Sequence, residues 1–159
     1  MQTFLQLRTE KLNYLKPQAI SILMADDDED DRMLTQDALD ESRVLNTINF
    51  VNDGVELIEY LRNEGRYQDR ELYPRPSLIL LDLNMPRMDG REALKVIKAD
   101  ADLRSIPVVI LTTSKEEEDK LRGYDLGAAS YIAKPVNFEG LVELMKHLGK
   151  YWIEIVELP

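Results

Sequence analysis

Leu78-Ile79-Leu80-Leu81-Asp82 decides how the rest of the chain reads. Four apolar residues stand in a row, with no polar residue between them, and the run stops at an acid. A strand with one face in water alternates apolar and polar side chains, so an unbroken run of strand length marks a strand covered on both faces. Working outward, runs of the same kind recur. Ile20-Ser21-Ile22-Leu23-Met24-Ala25 and Thr47-Ile48-Asn49-Phe50-Val51 precede it; Val108-Val109-Ile110-Leu111 and the shorter Ser130-Tyr131-Ile132-Ala133 follow.

Helix-period segments separate the runs. Met33, Leu34, Ala38 and Leu39 mark the first, Val55, Ile58 and Leu61 the second, and Ala93, Leu94 and Ile97 the third. A fourth opens at Ser114 with Glu117 three residues on, a capping-box spacing. Its acidic first turn suits the positive end of the helix dipole. Leu121 and Tyr124 are expected to face inward, with Gly127 ending the helix. The fifth carries the stripe Phe138, Leu141, Val142, Met145 and Leu148 behind Asn137 as N-cap. Strands alternating with helices predict an α/β fold: a doubly wound, five-stranded parallel sheet with helices on both faces and right-handed crossovers.

At 159 residues the chain is one domain with short tails. The domain is expected over 19–149, between an N-terminal extension at 1–18 and a C-terminal extension at 150–159. Phe4, Leu5, Leu7, Leu12 and Leu15 in the first extension fit either a short docking helix or a loosely held tail. Tyr151 to Pro159, β-branched and interrupted by Glu, reads as a strand or extended segment. Arg62 to Pro76, long and polar, reads as a surface loop.

Lys plus Arg is 20 against 30 for Asp plus Glu, a net charge of −10, which argues against nucleic acid as a partner. With no cysteine and one histidine, His147, disulfides, thiolate sites and His pairs are excluded. No apolar run is long enough for a bilayer, and no secretory signal opens the chain, so no membrane partner and a cytoplasmic location are expected.

In an open α/β sheet, functional groups gather at the carboxyl ends of the strands. Those ends hold Asp26-Asp27-Asp28, Asp82, Thr112-Thr113 and Lys134-Pro135. Carboxylates brought that close disfavour joint ionisation unless a cation joins them, and all-oxygen ligands select a hard ion such as Mg²⁺. A carboxylate flanked by Mg²⁺ and the Lys134 ammonium is arranged to receive a phosphoryl group, whose spreading charge both cations neutralise. The Thr112 hydroxyl can donate to a phosphoryl oxygen. Taken singly, each residue has a plainer reading. An acid at a strand end is usually a cap, Thr112 an ordinary strand terminus, Tyr131 core and Lys134 surface. Within the acidic run Asp26 to Asp31, Asp30 or Asp31 reads as a solvated helix start. Four strand ends supplying acids, a hydroxyl and a lysine together are a much rarer accident.

At these residues the sequence resembles the receiver domain of two-component response regulators. The resemblance rests on Ile22-Leu23-Met24-Ala25-Asp26-Asp27, Leu80-Leu81-Asp82-Leu83-Asn84-Met85-Pro86-Arg87-Met88-Asp89-Gly90, Val109-Ile110-Leu111-Thr112 and Ser130-Tyr131-Ile132-Ala133-Lys134-Pro135. It spans about Ser21 to Gly149 and implies a flavodoxin-like receiver fold. It implies that Asp82 is the phosphoacceptor and that Asp27 ligates Mg²⁺ directly, with Asp26 acting mainly through bound water. Asn84 would give the metal its backbone carbonyl, Lys134 would contact phosphate, and Thr112 with Tyr131 would form the switch pair. It implies a cis bond before Pro135, and it sets Asn84 and Ser114 where the family tunes dephosphorylation. The third acid, Asp28, leaves the register of the acid pair open. Within the family the sequence looks most like the single-domain regulators of phytochromes, on Pro74-Arg75-Pro76, Asp89-Gly90-Arg91-Glu92, Leu111-Thr112-Thr113-Ser114 and Tyr151-Trp152.

The implied function is a switch rather than an enzyme. A histidine kinase, phytochrome-type by the subgroup resemblance, donates to Asp82, Thr112 moves toward the phosphoryl oxygens, and Tyr131 turns inward behind it. The surface of the fourth helix, fifth strand and fifth helix then changes. No DNA-binding module is expected after Pro159, which leaves partner binding, onward phosphotransfer or a homodimer favoured by the apolar C-terminal tail. The main rival is a Mg²⁺-dependent phosphohydrolase with an aspartyl nucleophile, but that class wants an acid where Asn84 stands. A flavodoxin-like cofactor carrier would need a glycine-rich phosphate loop where the three acids lie. A degenerate receiver acting only as an interaction module is opposed by the complete residue set.

Overall fold

Every residue of the strand Leu78–Asp82 is buried, as its unbroken apolar run predicts. The computed structural model describes residues 20–43, 46–122 and 126–156. In chain order the elements are β1 Ile20–Ala25, α1 Glu29–Ser42, β2 Asn46–Val51, α2 Gly54–Leu61, a 3₁₀ turn Gly65–Tyr67, β3 Leu78–Asp82, α3 Gly90–Ala99, β4 Val108–Thr112, α4 Lys115–Arg122, β5 Ser130–Ala133 and α5 Phe138–Val156. The strands form one sheet in the order β2-β1-β3-β4-β5, with every pair parallel. The fold is therefore the doubly wound α/β sheet that the strand and helix order predicts.

Alternate residues of the central strands feed two apolar layers. Leu23, Ile79, Leu81 and Ile110 face a cluster with Leu57, Leu94, Ile97 and Leu121. Met24, Leu80, Val109 and Leu111 face the other side with Ala38, Leu39, Val142 and Met145. Each such side chain contributes about 1.5–3 kcal/mol on leaving water. Both faces are thus filled, which is why the strands cannot alternate.

The helix starts follow local chemistry. Asp28, Asp53 and Asp89 cap α1, α2 and α3 by accepting backbone N–H groups. Ser114 Oγ accepts from Glu117 N–H at 3.1 Å at the head of α4, and Asn137 Oδ1 accepts from Gly140 N–H at 2.7 Å at the head of α5.

Three expectations change. The extended tail from Tyr151 is instead helix as far as Val156. Helix propagation from the stripe Leu141 to Leu148 outweighs the weak strand preference of Ile153, Ile155 and Val156. The bond before Pro135 is trans, as is every described peptide bond. An X–Pro amide favours trans by only about 0.5–1 kcal/mol, so residue type does not fix the isomer. The segment after α2 is also more than a surface loop. Tyr67 is only 2% exposed and packs against Tyr60 and Tyr73, while Tyr60 donates its hydroxyl to Pro74 O at 3.0 Å. A tyrosine ring can be core while its hydroxyl satisfies a loop carbonyl. The expectations for residues 1–18, Tyr124 and 157–159 lie outside the described residues, as do the side chains of Tyr151 and Trp152.

Where β3 passes into α3 the backbone doubles back, and Gly90 N–H donates to Leu83 O at 3.0 Å. A Cβ at Gly90 would stand 2.6 Å from Asp82 O and 2.9 Å from Leu83 Cα. Both are backbone atoms and cannot rotate away. Gly90→Ala is expected to lower stability by about 2–3 kcal/mol in urea denaturation. An unchanged midpoint would show that this turn can relax.

Candidate functional site

Strand order reverses between β1 and β3, and a crevice opens beyond their carboxyl ends. The register pairs Ala25 with Leu81, Asp82 with Leu111, and Thr112 with Ala133. Asp26, Asp82, Thr112 and Lys134 consequently reach one rim from four adjacent strands.

Asp26 is fully buried. Its N–H donates to Val51 O at 3.1 Å, and its Oδ1 accepts from Asp28 N–H at 2.9 Å. Asp28 spends its own carboxylate on α1, accepting from Asp30 and Asp31 N–H at 2.9 and 3.2 Å. The third acid is therefore a helix cap, and the pair that meets Asp82 is Asp26 and Asp27. Each of Asp26, Asp27 and Asp82 offers a carboxylate oxygen within 4.8 Å of the others. Asp82 is 7% exposed, and its Oδ1 accepts from Asn84 N–H at 3.2 Å. Asn84 itself is exposed.

Lys134 Nζ donates to Asp31 Oδ2 at 2.8 Å and Asp26 Oδ2 at 3.0 Å, and lies 3.5 Å from Asp82 Oδ2. The sequence reading gave Asp30 or Asp31 to the solvated start of α1; Asp30 is exposed there, while Asp31, in the same first turn, is the nearest partner of Lys134. The available signal was the cap at Asp28, which sets Asp31 in the first turn of α1, at the mouth of the strands. Burial pushes the Asp82 carboxyl up to about 6; Lys134 opposes the rise and Asp26 adds to it. Burial also works against the Lys134 charge, but its hydrogen bonds to Asp31 and Asp26, with the charges of Asp82 and Asp26, outweigh it and hold the ammonium above its ordinary range. Three carboxylates thus meet one ammonium, and Asp27 adds a fourth acid beside Asp26 and Asp82. Oxygen donors alone, with no sulfur or nitrogen, fit a hard divalent ion.

The Thr112 hydroxyl is buried and donates to Ser114 O at 3.0 Å. Tyr131 is already inside, packed in the core layer that holds Leu121, with the Arg122 guanidinium 5.9 Å from its ring centroid. The inward position expected of the Tyr131 ring is thus the one it occupies here. Arg122 also donates to Tyr131 O at 2.7 Å and to Glu118 at 2.9 Å, which ties α4 to β5. Thr112, through Ser114, holds the other end of that helix.

The chain belongs to the response regulator receiver domain family, whose model matches residues 22–146. It is a signalling protein of the response regulator class and is related to regulators of phytochromes. It is 39% identical over 138 residues to the response regulator Rcp1 of a Synechocystis species, covering 87% of this chain and 92% of that one. The phosphorylated cyanobacterial phytochrome response regulator RcpA superposes with a TM-score of 0.74 at 42% identity, covering 86% and 95% of the two chains. The Mn²⁺-bound form of Rcp1 superposes with a TM-score of 0.72 at 39% identity, covering 88% and 99%. Among the described residues, no helix is long and apolar enough to cross a membrane.

Proposed function

We propose that this protein is a phosphorylatable switch in which Asp82 accepts a phosphoryl group from a histidine kinase with Mg²⁺ bound. The observation that carries the reading is the meeting of Asp26, Asp27 and Asp82 within 4.8 Å, with Lys134 Nζ beside them. Asp26, Asp27 and Asp82, with the Asn84 carbonyl, would hold the ion. When bound, the ion supplies positive charge against the transferring phosphoryl oxygens. The chain's own groups do the rest. Asp82 is the acceptor carboxylate, and its confinement by Asn84 N–H aims one oxygen outward. Lys134 is a fixed ammonium for a phosphoryl oxygen. Thr112 has a rotatable hydroxyl whose present acceptor, Ser114 O, it can exchange for a phosphoryl oxygen.

That exchange gives the switch its route. The product carries roughly two negative charges. Losing the Thr112 hydroxyl from Ser114 O, which keeps its bond from Glu118 N–H, loosens the tie between β4 and the head of α4, so the surface of α4, β5 and α5 is the surface that responds. Tyr131 and Thr112 are the pair that set its two positions.

A kinase must bring its phosphohistidine over Asp82, and the rim beside Lys134 is apolar. Leu34, Val136 and Phe138 are exposed around a cavity of about 120 Å³ that Asp31 and Lys134 also line. Similarity to RcpA, named for a phytochrome, favours a phytochrome-type kinase. A cytoplasmic location and a homodimer through the β5–α5 edge complete the reading.

Incubation with Mg²⁺ and a small phosphodonor, followed by intact mass and gel filtration, tests it. One added phosphoryl group is expected, absent without the metal, with a shift toward dimer on labelling. Steady turnover of a phosphate ester without stoichiometric labelling would instead favour the phosphohydrolase.

A further inference from the structure

The loop between β3 and α3, residues 83–89, carries Asn84 and is fastened at a point outside the acid–lysine cluster. Asp53 stands between β2 and α2 and is 5% exposed. Its Oδ1 accepts from Glu56 N–H at 2.9 Å and caps α2. Its Oδ2 accepts from Arg87 Nε at 2.8 Å. The backbones join at the next residues, where Gly54 N–H donates to Met88 O at 3.0 Å. A side chain at Gly54 would collide with Met88. Arg87 itself holds φ 62°, the left-handed region. That conformation is strained for a non-glycine residue. Glycine would hold it without strain, so what arginine adds here is its side chain.

The same junction reaches the acid pair. Val51 O accepts the N–H of Asp26 at 3.1 Å, and Arg32 of α1 donates to Asn52 Oδ1 at 2.7 Å. Residues 51–54 therefore touch the end of β1 on one side and the β3–α3 loop on the other. We infer that Arg87 is a positioning residue for the metal centre: its ion pair with buried Asp53 holds the 83–89 loop, and with it Asn84, in register with Asp26 and Asp27. The inference rests on the metal-dependent reading above. Simple electrostatics points the opposite way, because a guanidinium near a cation site repels the cation.

That opposition of sign makes the test decisive. Mg²⁺ is titrated calorimetrically into the full chain as wild type, Arg87→Gln, Arg87→Lys, Asp53→Asn and the Arg87→Gln/Asp53→Asn double variant. Gln removes the charge, whereas Asn at 53 keeps Oδ1 as the α2 cap. Arg87→Gln is expected to bind Mg²⁺ about tenfold more weakly, the scale seen when groups supporting metal ligands are removed. Arg87→Lys should recover part of the loss, and the double variant should bind no more weakly than the weaker single. If Arg87→Gln does not fold, Arg87→Gly relaxes the backbone, lacks the same ion pair and takes its place. Mg²⁺ binding by either variant as tight as wild type, or tighter, overturns the inference and leaves the switch reading intact. A wild type that takes up no Mg²⁺ removes the metal centre itself, and the inference with it.

Discussion

Asp82→Asn is expected to take no phosphoryl group and, without metal at pH 7, to be more stable than wild type. Asparagine lacks the anionic oxygen proposed to attack phosphorus, so the added mass expected of wild type should be absent. The gain in stability follows from the titration of the buried acid. Asp82 ionises at about 6 in the folded chain, against an ordinary value of 3.8. Between those values the folded chain holds a proton that the unfolded chain has released. Stability therefore falls as pH rises through this window and then levels off. The difference corresponds to a cost on the order of 3 kcal/mol for the ionised side chain. Asn is nearly isosteric and can still accept from Asn84 N–H, so a gain of about 1–3 kcal/mol is expected. Urea midpoints at pH 4.5 and 7, with chelator present, provide the measurement. Wild type should lose ground between the two while Asp82→Asn does not. Parallel pH profiles would mean that Asp82 is ordinarily solvated, and labelling that survives in Asp82→Asn would move the acceptor elsewhere.

Lys134→Ala is expected to act in the other direction. Its ammonium is the partner of Asp31, Asp26 and Asp82 at 2.8, 3.0 and 3.5 Å. Its loss leaves Asp26, fully buried, facing Asp82 with no balancing cation. Removing one member of a buried ionic group costs about 3 kcal/mol, less where protonation can relieve it. The loss should thus be larger at pH 7 than at pH 5, where Asp82 carries a proton. Mg²⁺ should restore much of it, because a divalent ion replaces the missing charge. Phosphorylation should be slowed, or uncoupled from any change in assembly. Denaturation with and without Mg²⁺, alongside intact mass, reads both effects. Wild-type behaviour in both would remove Lys134 from the site.

The fold was legible because covering both faces of a parallel sheet forces a pattern that hydropathy alone reveals, as in Leu78 to Leu81. The same residues marked the rim, since each strand's carboxyl end follows directly from its apolar run. What stayed hidden was orientation. Asp26, Asp27 and Asp28 are chemically alike, and only the backbone turn into α1 makes Asp28 a cap while Asp26 and Asp27 meet Asp82. The pairing of Asp31 with Lys134 was hidden because 103 residues separate them. The Asp53–Arg87 pair joins loops 34 residues apart, with no periodicity to announce it. Tyr67 was hidden by the polar residues around it, and the helical course of residues 151–156 by their β-branched composition.

The ion pair between Lys134 and Asp26 spans 108 residues. On a ribosome, the first strand's acids emerge long before the ammonium that balances them. Until β5 docks beside β4, Asp26 and Asp82 face each other without it, and the nascent crevice lacks its lysine. Parallel pairings of this kind close late, because each needs a crossover before its strands can meet. Under the proposed switch, a kinase meeting the chain during synthesis would find an acceptor without its cationic neighbour until the last strand is in place.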